Sequence, residues 1–346
     1  MKSTRRAAVA VAIVALGSAS CSDSDTANDD AEASARATSP VTLLDLPAAR
    51  PGDIVGLAAD DGRRIVSWLH RIDGTVHELG LDGVNEPGET TQIVATIEVS
   101  TESQQGGLLD QVLLADGRRV LTWTTPEANE LVVGTLAGDD GTPMIFWSAG
   151  EAGSGAIGGK LDLTDDGRLL VSIGRNTDFD TVDDQGGAFL AFDVASLGSD
   201  DVPLEPTVIS RGYTNPWAFE SLTGGEIWVW DNAAGSDPDD RDLDDVERIG
   251  RVDLEPDRND MVRSEVGDRA PAAMVELPDG RLGVCGFLDN ELRAYEVVDG
   301  DDGPRTRLER AGTIMACNTA ATVFADGTVV TAAQTDAGES LQVLRP

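Results

Sequence analysis

Apolar and polar residues alternate along most of this chain, and the alternation breaks at regular intervals at an Asp-Gly or Gly-Gly pair. The stretch GGKLDLTDDGRLLVSIG, from Gly158 to Gly174, shows the unit: an apolar alternating run, a tight turn and a second apolar run. A period of two predicts strands, and a turn residue that tolerates positive φ predicts the hairpin. Copies lie at Val55–Leu69, Leu109–Thr124, Leu161–Gly174, Ala218–Asp231, Ala272–Gly286 and Ala320–Ala333. Their turn glycines, Gly62, Gly117, Gly167, Gly225, Gly280 and Gly327, are 55, 50, 58, 55 and 47 residues apart. A third apolar segment follows, as in GTVHELGL, NELVVGTL, GAFLAFDV and NELRAYEV, with a weaker fourth behind it. Three clear strands and a fourth in every ~50 residues predict an all-β protein, a six-bladed β-propeller over 41–346. Closing six blades into a ring removes long free edges. A pair of β-sandwiches is the competing architecture, and six near-equal periods argue against it.

The residues ahead of the repeats carry a different pattern. Lys2, Arg5 and Arg6 precede AAVAVAIVAL, a ten-residue apolar run too short to span a bilayer as a mature helix. GSASC follows, small residues ending at Cys21. This is the form of a bacterial lipoprotein signal over 1–20, with Cys21 as the lipidated residue, although Ser18 stands where that signal prefers Leu. Plain secretion is the alternative. Residues 21–40 are small, polar and acidic with no apolar period, and read as a disordered tether.

Charge narrows the partners. Acids outnumber bases 62 to 26, for a formal net charge of −36. Such a surface repels nucleic acid and anionic lipid, so nucleic acid is excluded and membrane contact is expected only through the N-terminal lipid. A small-molecule ligand is compatible with such a surface, and charge does not name its class.

In the blade pattern the strand before each Asp-Gly turn is innermost. Loops entering that strand and loops leaving the next one converge on one face around the axis, where a ligand is expected to sit. That face collects Gln105 and Ala156, then Arg175 and Asn176. Tyr213, Thr214, Asn215 and Trp217 follow, and Asp231, Asn232 and Asn318 complete it. The six tryptophans mostly fall at strand positions and are expected to pack blades; Trp217, at the start of an inner strand, is the exception. The two histidines, His70 and His77, are expected to pair directly across a two-residue Asp73-Gly74 turn, stacked on the surface or, alternatively, holding a metal. With Cys21 committed to lipid, Cys285 and Cys317 remain in an oxidising setting, and the blade pattern brings both to the same face of neighbouring blades; a disulfide is expected.

The order of motifs resembles the glucose/sorbosone dehydrogenase family from about Asp53 to Leu344. QQGGLLDQVLLADGRRVLTWTTPEANELVV is similar to that family's second blade. AIGGKLDLTDDGRLLVSIG resembles its His-x-Gly-Gly-x-Leu…Pro-Asp-Gly…Val-Ser-x-Gly-Asp. RGYTNPWAFESLTGGEIWVWDN resembles its Gly-x-Arg-Asn-Pro…Thr-Gly…Leu-Trp…Asp, and DDVERI its Asp-Glu-x-Asn-x-Ile. The resemblance implies an exported six-bladed propeller that binds the quinone PQQ with Ca²⁺ and oxidises sugars. It also implies a Ca²⁺ near the acidic run Asp231–Glu247, with Asp244 and Asp245 as contributors. Two positions depart from the family. Ala156 stands where the resemblance puts the catalytic His, and Thr214 where it puts a cofactor-facing Arg. Losing a general base typically costs about 10²–10⁴-fold in rate. The expected function is therefore a carbohydrate- or partner-binding surface propeller. The alternatives are a divergent quinoprotein sugar or alcohol oxidoreductase and a metal-dependent sugar lactonase.

Overall fold

The computed structural model describes residues 39–47, 49–81, 91–137, 142–175, 187–197, 204–232, 247–252, 262–263, 269–300 and 303–346. Cys21, Asn176, Asp244 and Asp245 lie outside them.

Strand β1 (Val41–Leu46) precedes the first repeat. Blade 1 is β2 (Ile54–Asp60), β3 (Ile65–His70), β4 (Thr75–Gly80) and β5 (Gln92–Thr96), and blade 2 is β6 (Leu108–Leu113), β7 (Arg119–Thr124), β8 (Glu130–Ala137) and β9 (Thr142–Glu151). Blade 3 is β10 (Gly158–Leu163), β11 (Arg168–Ile173), β12 (Gly187–Asp193) and β13 (Thr207–Tyr213). Blade 4 is β14 (Ala218–Ser221), β15 (Ile227–Asp231), β16 (Arg248–Arg251) and β17 (Val262–Arg263). Blade 5 is β18 (Pro271–Glu276), β19 (Leu282–Gly286), β20 (Glu291–Gly300) and β21 (Gly303–Met315). The last repeat supplies three strands, β22 (Ala320–Val323), β23 (Val329–Thr335) and β24 (Gly338–Leu344), and β1 pairs antiparallel with β24 as their fourth. Each sheet is an antiparallel meander, and each first strand touches the first strands of both neighbouring blades, β22 meeting β2. The fold is the expected six-bladed β-propeller.

Six apolar clusters occupy the six seams between blades. Leu170, Phe189 and Tyr213 of blade 3 meet Phe219, Ile227 and Val229 of blade 4. Trp228 and Trp230 of blade 4 meet Met274, Val284 and Tyr295 of blade 5. The seam between blades 5 and 6 also contains the Cys285–Cys317 disulfide, with Cα atoms 5.2 Å apart. The expected bridge is present, and both cysteines are fully buried.

Closure between blades 6 and 1 has a second latch. Glu339 of β24 is 1% exposed, and its carboxyl accepts the backbone N–H groups of Gly52 (3.0 Å) and Ile54 (2.9 Å) and Nδ2 of Asn318 (3.1 Å). One side chain thus ties the last blade to the start of the first.

The histidines do not pair with each other. The turn between β3 and β4 is four residues, Arg71–Gly74, so His70 lies opposite Thr75 and His77 opposite Trp68. His77 stacks on Trp68, with ring centroids 5.1 Å apart and planes 11° from parallel. Gly74 takes the positive φ of 66°, and a Cβ there would collide with the Ile97 carbonyl, which explains the glycine at that position.

Candidate functional site

The inner strands surround a central cavity of about 750 Å³. Apolar residues such as Leu57, Val112 and Met274 form part of its wall, and Trp217 stands just ahead of β14. Its Asp-Gly-turn end is framed by Asp61, Thr223, Pro278 and Gly327. In the middle, four inner strands place ionisable side chains: Asp110 on β6, Lys160 and Asp162 on β10, Glu220 on β14 and Glu276 on β18.

Most of these groups also sew the ring together. Asp110 Oδ2 accepts the N–H of Leu161 from the next blade (3.0 Å), Asp162 Oδ2 that of Ser221 (2.5 Å), and Glu220 Oε1 that of Glu276 (3.0 Å). Gln111 reaches the other way and donates from Nε2 to the Gly56 carbonyl of blade 1 (2.5 Å). Inner strands of adjacent blades splay too far apart to form a ladder, and the side chains complete what the backbones cannot. Lys160 Nζ donates to the Leu109 carbonyl (3.4 Å), stands 3.9 Å from Asp110 Oδ2, and lies 5.0 Å from the centre of the Trp217 ring.

Burial sets the charge state. It raises the Asp110 carboxyl, while Lys160 and the N–H groups of Leu161 and Gln111 pull the other way. Burial pushes Asp162 up to about 7, against the hydrogen bonds from Ser221 and Leu163. Glu220 is held well above its usual range, first by burial and then by the neighbouring Asp162. Lys160 moves the opposite way, lowered by burial and by Arg71 and supported by Asp110. Every shift is toward the neutral form, as expected where a low dielectric disfavours charge. A protonated carboxyl donates as well as accepts, so this wall offers both kinds of hydrogen bond beside an aromatic face. That is suited to a polyhydroxylated molecule with one apolar face.

Several of the residues expected at the ligand face hydrogen-bond with one another or with neighbouring loops; Asn176 lies outside the described residues. Many are occupied with the fold. Asp231 accepts the N–H groups of Thr214 (2.9 and 3.1 Å) and Asn215 (2.6 Å), which folds the YTNPW loop over the end of β15. Arg175 N–H donates to the Thr214 carbonyl (2.9 Å), and Asn232 Nδ2 to the Pro271 carbonyl (2.8 Å). Gln105 Oε1 accepts the Ile157 N–H (3.1 Å), linking the loops that enter β6 and β10. Tyr213 hydroxyl meets Ser210 Oγ at 3.0 Å, and Asn318 belongs to the Glu339 latch. Ala156 is 2% exposed with a φ of 55°. The two amide oxygens Asn215 Oδ1 and Asn232 Oδ1 are buried without a partner among the described residues. Of the face residues, Trp217 lines the cavity.

Asp110, Lys160, Asp162, Glu220 and Glu276 were not singled out by the sequence pattern. Their signal was nevertheless present: charged residues inside LLDQVL, GGKLDL, AFES and PAAMVE, the very strands predicted to be innermost.

The architecture has well-defined counterparts. The apo-form of a soluble aldose sugar dehydrogenase from Escherichia coli is 16% identical, with 89% of this chain and 100% of that one covered and a TM-score of 0.66. The PQQ-bound form of an aldose sugar dehydrogenase from Streptomyces coelicolor is 15% identical, with coverage of 89% and 98% and a TM-score of 0.64. The chain shares the fold of the soluble sugar dehydrogenases. A gluconolactonase from Xanthomonas campestris also aligns, at 12% identity, coverage of 91% and 93% and a TM-score of 0.56. No protein-family model matches the sequence, and no curated protein matches it either.

Proposed function

We propose that this is an exported propeller, anchored by lipid at Cys21, that binds a carbohydrate or a similar polyhydroxylated molecule in its central cavity without quinone-dependent oxidation. The observation that carries the reading is the cavity wall itself, where Trp217 stands beside hydrogen-bonding carboxyl groups in a space of about 750 Å³.

PQQ, which the resemblance implies, is itself an anion bearing carboxylates. The described lining sets the single cation Lys160 against Asp61, Asp110, Asp162, Glu220 and Glu276. These residues do not fit an anionic quinone. Ala156 offers no proton acceptor where the resemblance puts a base, and the Thr214 N–H is already given to Asp231. A lactonase reading lacks a comparable support: among the described residues no group of three or more His, Cys, Asp or Glu is arranged to hold a metal.

Calorimetry with mono- and disaccharides tests the ligand. Saturable binding that weakens about 10-fold or more in Trp217→Ala is expected, the scale of losing one stacked aromatic contact with its buried area. Absence of binding across neutral sugars would sink the proposal. Refolding with PQQ and Ca²⁺ should leave no quinone absorbance on the protein, and ready sugar oxidation with an artificial electron acceptor would overturn the non-oxidative part. Cys21→Ser should release the protein from membranes; a wild type already fully soluble outside the cell would remove the anchor.

A further inference from the structure

The chain contains 24 arginines and two lysines, Lys2 and Lys160. Beyond the basic N-terminal start, every basic side chain of the Lys/Arg class is a guanidinium except one. That one amine is 5% exposed and stands in the wall of the central cavity. The distinction matters chemically. Arginine stays protonated in proteins, whereas a buried lysine can lose its proton and act as a nucleophile. A site needing only positive charge would be served by the residue this chain uses everywhere else.

The surroundings suit a reactive amine. Nζ is held by the Leu109 carbonyl at 3.4 Å and faces Trp217 at 5.0 Å. Asp110 Oδ2 from the neighbouring β6 is 3.9 Å away. The other charged groups of this wall are Asp162 on the same strand, Glu220 on β14, Glu276 on β18 and Asp61 at the turn end, and Arg71 from the turn after β3 acts on the amine as well. Burial and Arg71 favour the free amine, and Asp110 alone among these causes favours the ammonium.

We propose that Lys160 captures the carbonyl carbon of a small aldehyde, such as a short hydroxyaldehyde or the open chain of an aldose, as an imine inside the central cavity. The idea rests on the cavity being the ligand site, as read above. The amine nitrogen forms a bond to the carbonyl carbon, and the carbonyl oxygen takes up a proton to become a hydroxyl. Loss of that hydroxyl as water, with one proton delivered to it and one withdrawn from nitrogen, leaves the C=N bond. Asp110 is the carboxyl placed to give and recover these protons. One water is released, nothing is oxidised or reduced, and hydrolysis reverses the step.

Glycolaldehyde with cyanoborohydride at pH 7 is the probe, because reduction fixes the imine as a hydroxyethyl amine. The scarcity of lysine makes the readout direct: peptide mass mapping of the folded protein should place the adduct on Lys160. Its rate should exceed that of Nα-acetyl-lysine amide by about tenfold or more, the direction that burial of the amine gives. Lys160→Arg keeps the charge and should abolish the internal adduct. Wild-type protein carries the test should that variant misfold. Labelling of Lys160 only after denaturation, or no faster than the free amino acid, would overturn the proposal. A methyl glycoside, which cannot open, separates the two readings in calorimetry. Glycoside binding without any Lys160 adduct refutes the imine and keeps the sugar site. An adduct without binding of any sugar keeps the imine and refutes the sugar site.

Discussion

Two seams of the ring, between blades 5 and 6 and between blades 3 and 4, do the same work with different chemistry. Both bury apolar residues of neighbouring blades. The first adds a covalent bond, Cys285–Cys317. The second adds a hydrogen bond, from Ser221 N–H to the buried carboxyl of Asp162. A disulfide answers to redox conditions and not to neutral pH, whereas a carboxyl whose pKa is pushed to about 7 answers to pH and not to thiols. The wall of the cavity is thus also a pH-responsive part of the scaffold, so ligand chemistry and stability share the same groups.

The largest effect is expected from breaking the covalent seam. The bridge closes a loop of 32 residues, for which the chain-entropy model suggests about 3–4 kcal/mol. Replacing both cysteines by Ser should lower the denaturant midpoint accordingly, by the same amount at pH 6 and pH 8. A pH-dependent loss would mean that the two seams are coupled.

Glu339→Ala comes next. It leaves three donors, from Gly52, Ile54 and Asn318, without their buried acceptor, and should cost about 2–4 kcal/mol. Since Glu339 latches blade 6 to blade 1, hydrogen exchange in β1 and β24 should rise before exchange in blade 3. Uniform acceleration around the ring would show that closure is not a local property.

Much of this scaffold was legible in the sequence because hairpin turns are local. Gly117, Gly167, Gly225, Gly280 and Gly327 all adopt φ between 79° and 88°, a conformation their type tolerates. The first blade departs: Arg64, at φ 55°, takes the left-handed role, and Gly62 does not. The His70–His77 pairing failed for a related reason, since a four-residue turn in place of two shifts the partner of every residue on the strand. The pairing of β1 with β24 joins residues at opposite ends of the chain, and no local pattern announces such a partner. The cavity was harder still. Charged residues in an inner strand read as interruptions of an apolar run until the ring brings Asp110, Lys160, Asp162 and Glu220 to one wall.

The pH response sharpens the contrast between seams. The folded-state pKa of Asp162 is raised above its unfolded value, so the folded protein binds more protons than the unfolded chain between about pH 4 and pH 7. Its contribution is therefore greatest below pH 4 and is lost as pH rises through 7. One titrating group changes stability by at most about 1.4 kcal/mol per pH unit. Asp162→Asn imitates the protonated acid and should flatten that part of the curve. An unchanged slope would assign the titration to Glu220 instead, which is raised in the same direction.

The smallest effect belongs to the turn end of the ring. Asp61 of blade 1 accepts the N–H of Ala325 from blade 6 at 2.8 Å, and Asp165 of blade 3 accepts that of Gly224 from blade 4 at 2.9 Å. Asp61 is the second acid of the Asp60-Asp61-Gly62 turn and Asp165 the first of Asp165-Asp166-Gly167, and each bridges a seam by a single exposed hydrogen bond. Water replaces such a bond readily, so Asp61→Ala should cost no more than about 0.5–1 kcal/mol. The same substitution at Asp165 tests whether the turn contact matters more where the seam lacks a covalent bond or latch. If the seam between blades 3 and 4 depends on its hydrogen bonds, Asp165→Ala in the Asp162→Asn background should cost more than in the wild type, measured as a non-additive double-mutant cycle. Strict additivity would mean that the apolar contacts of Phe189, Tyr213 and Phe219 hold that seam regardless of the polar groups at its inner edge.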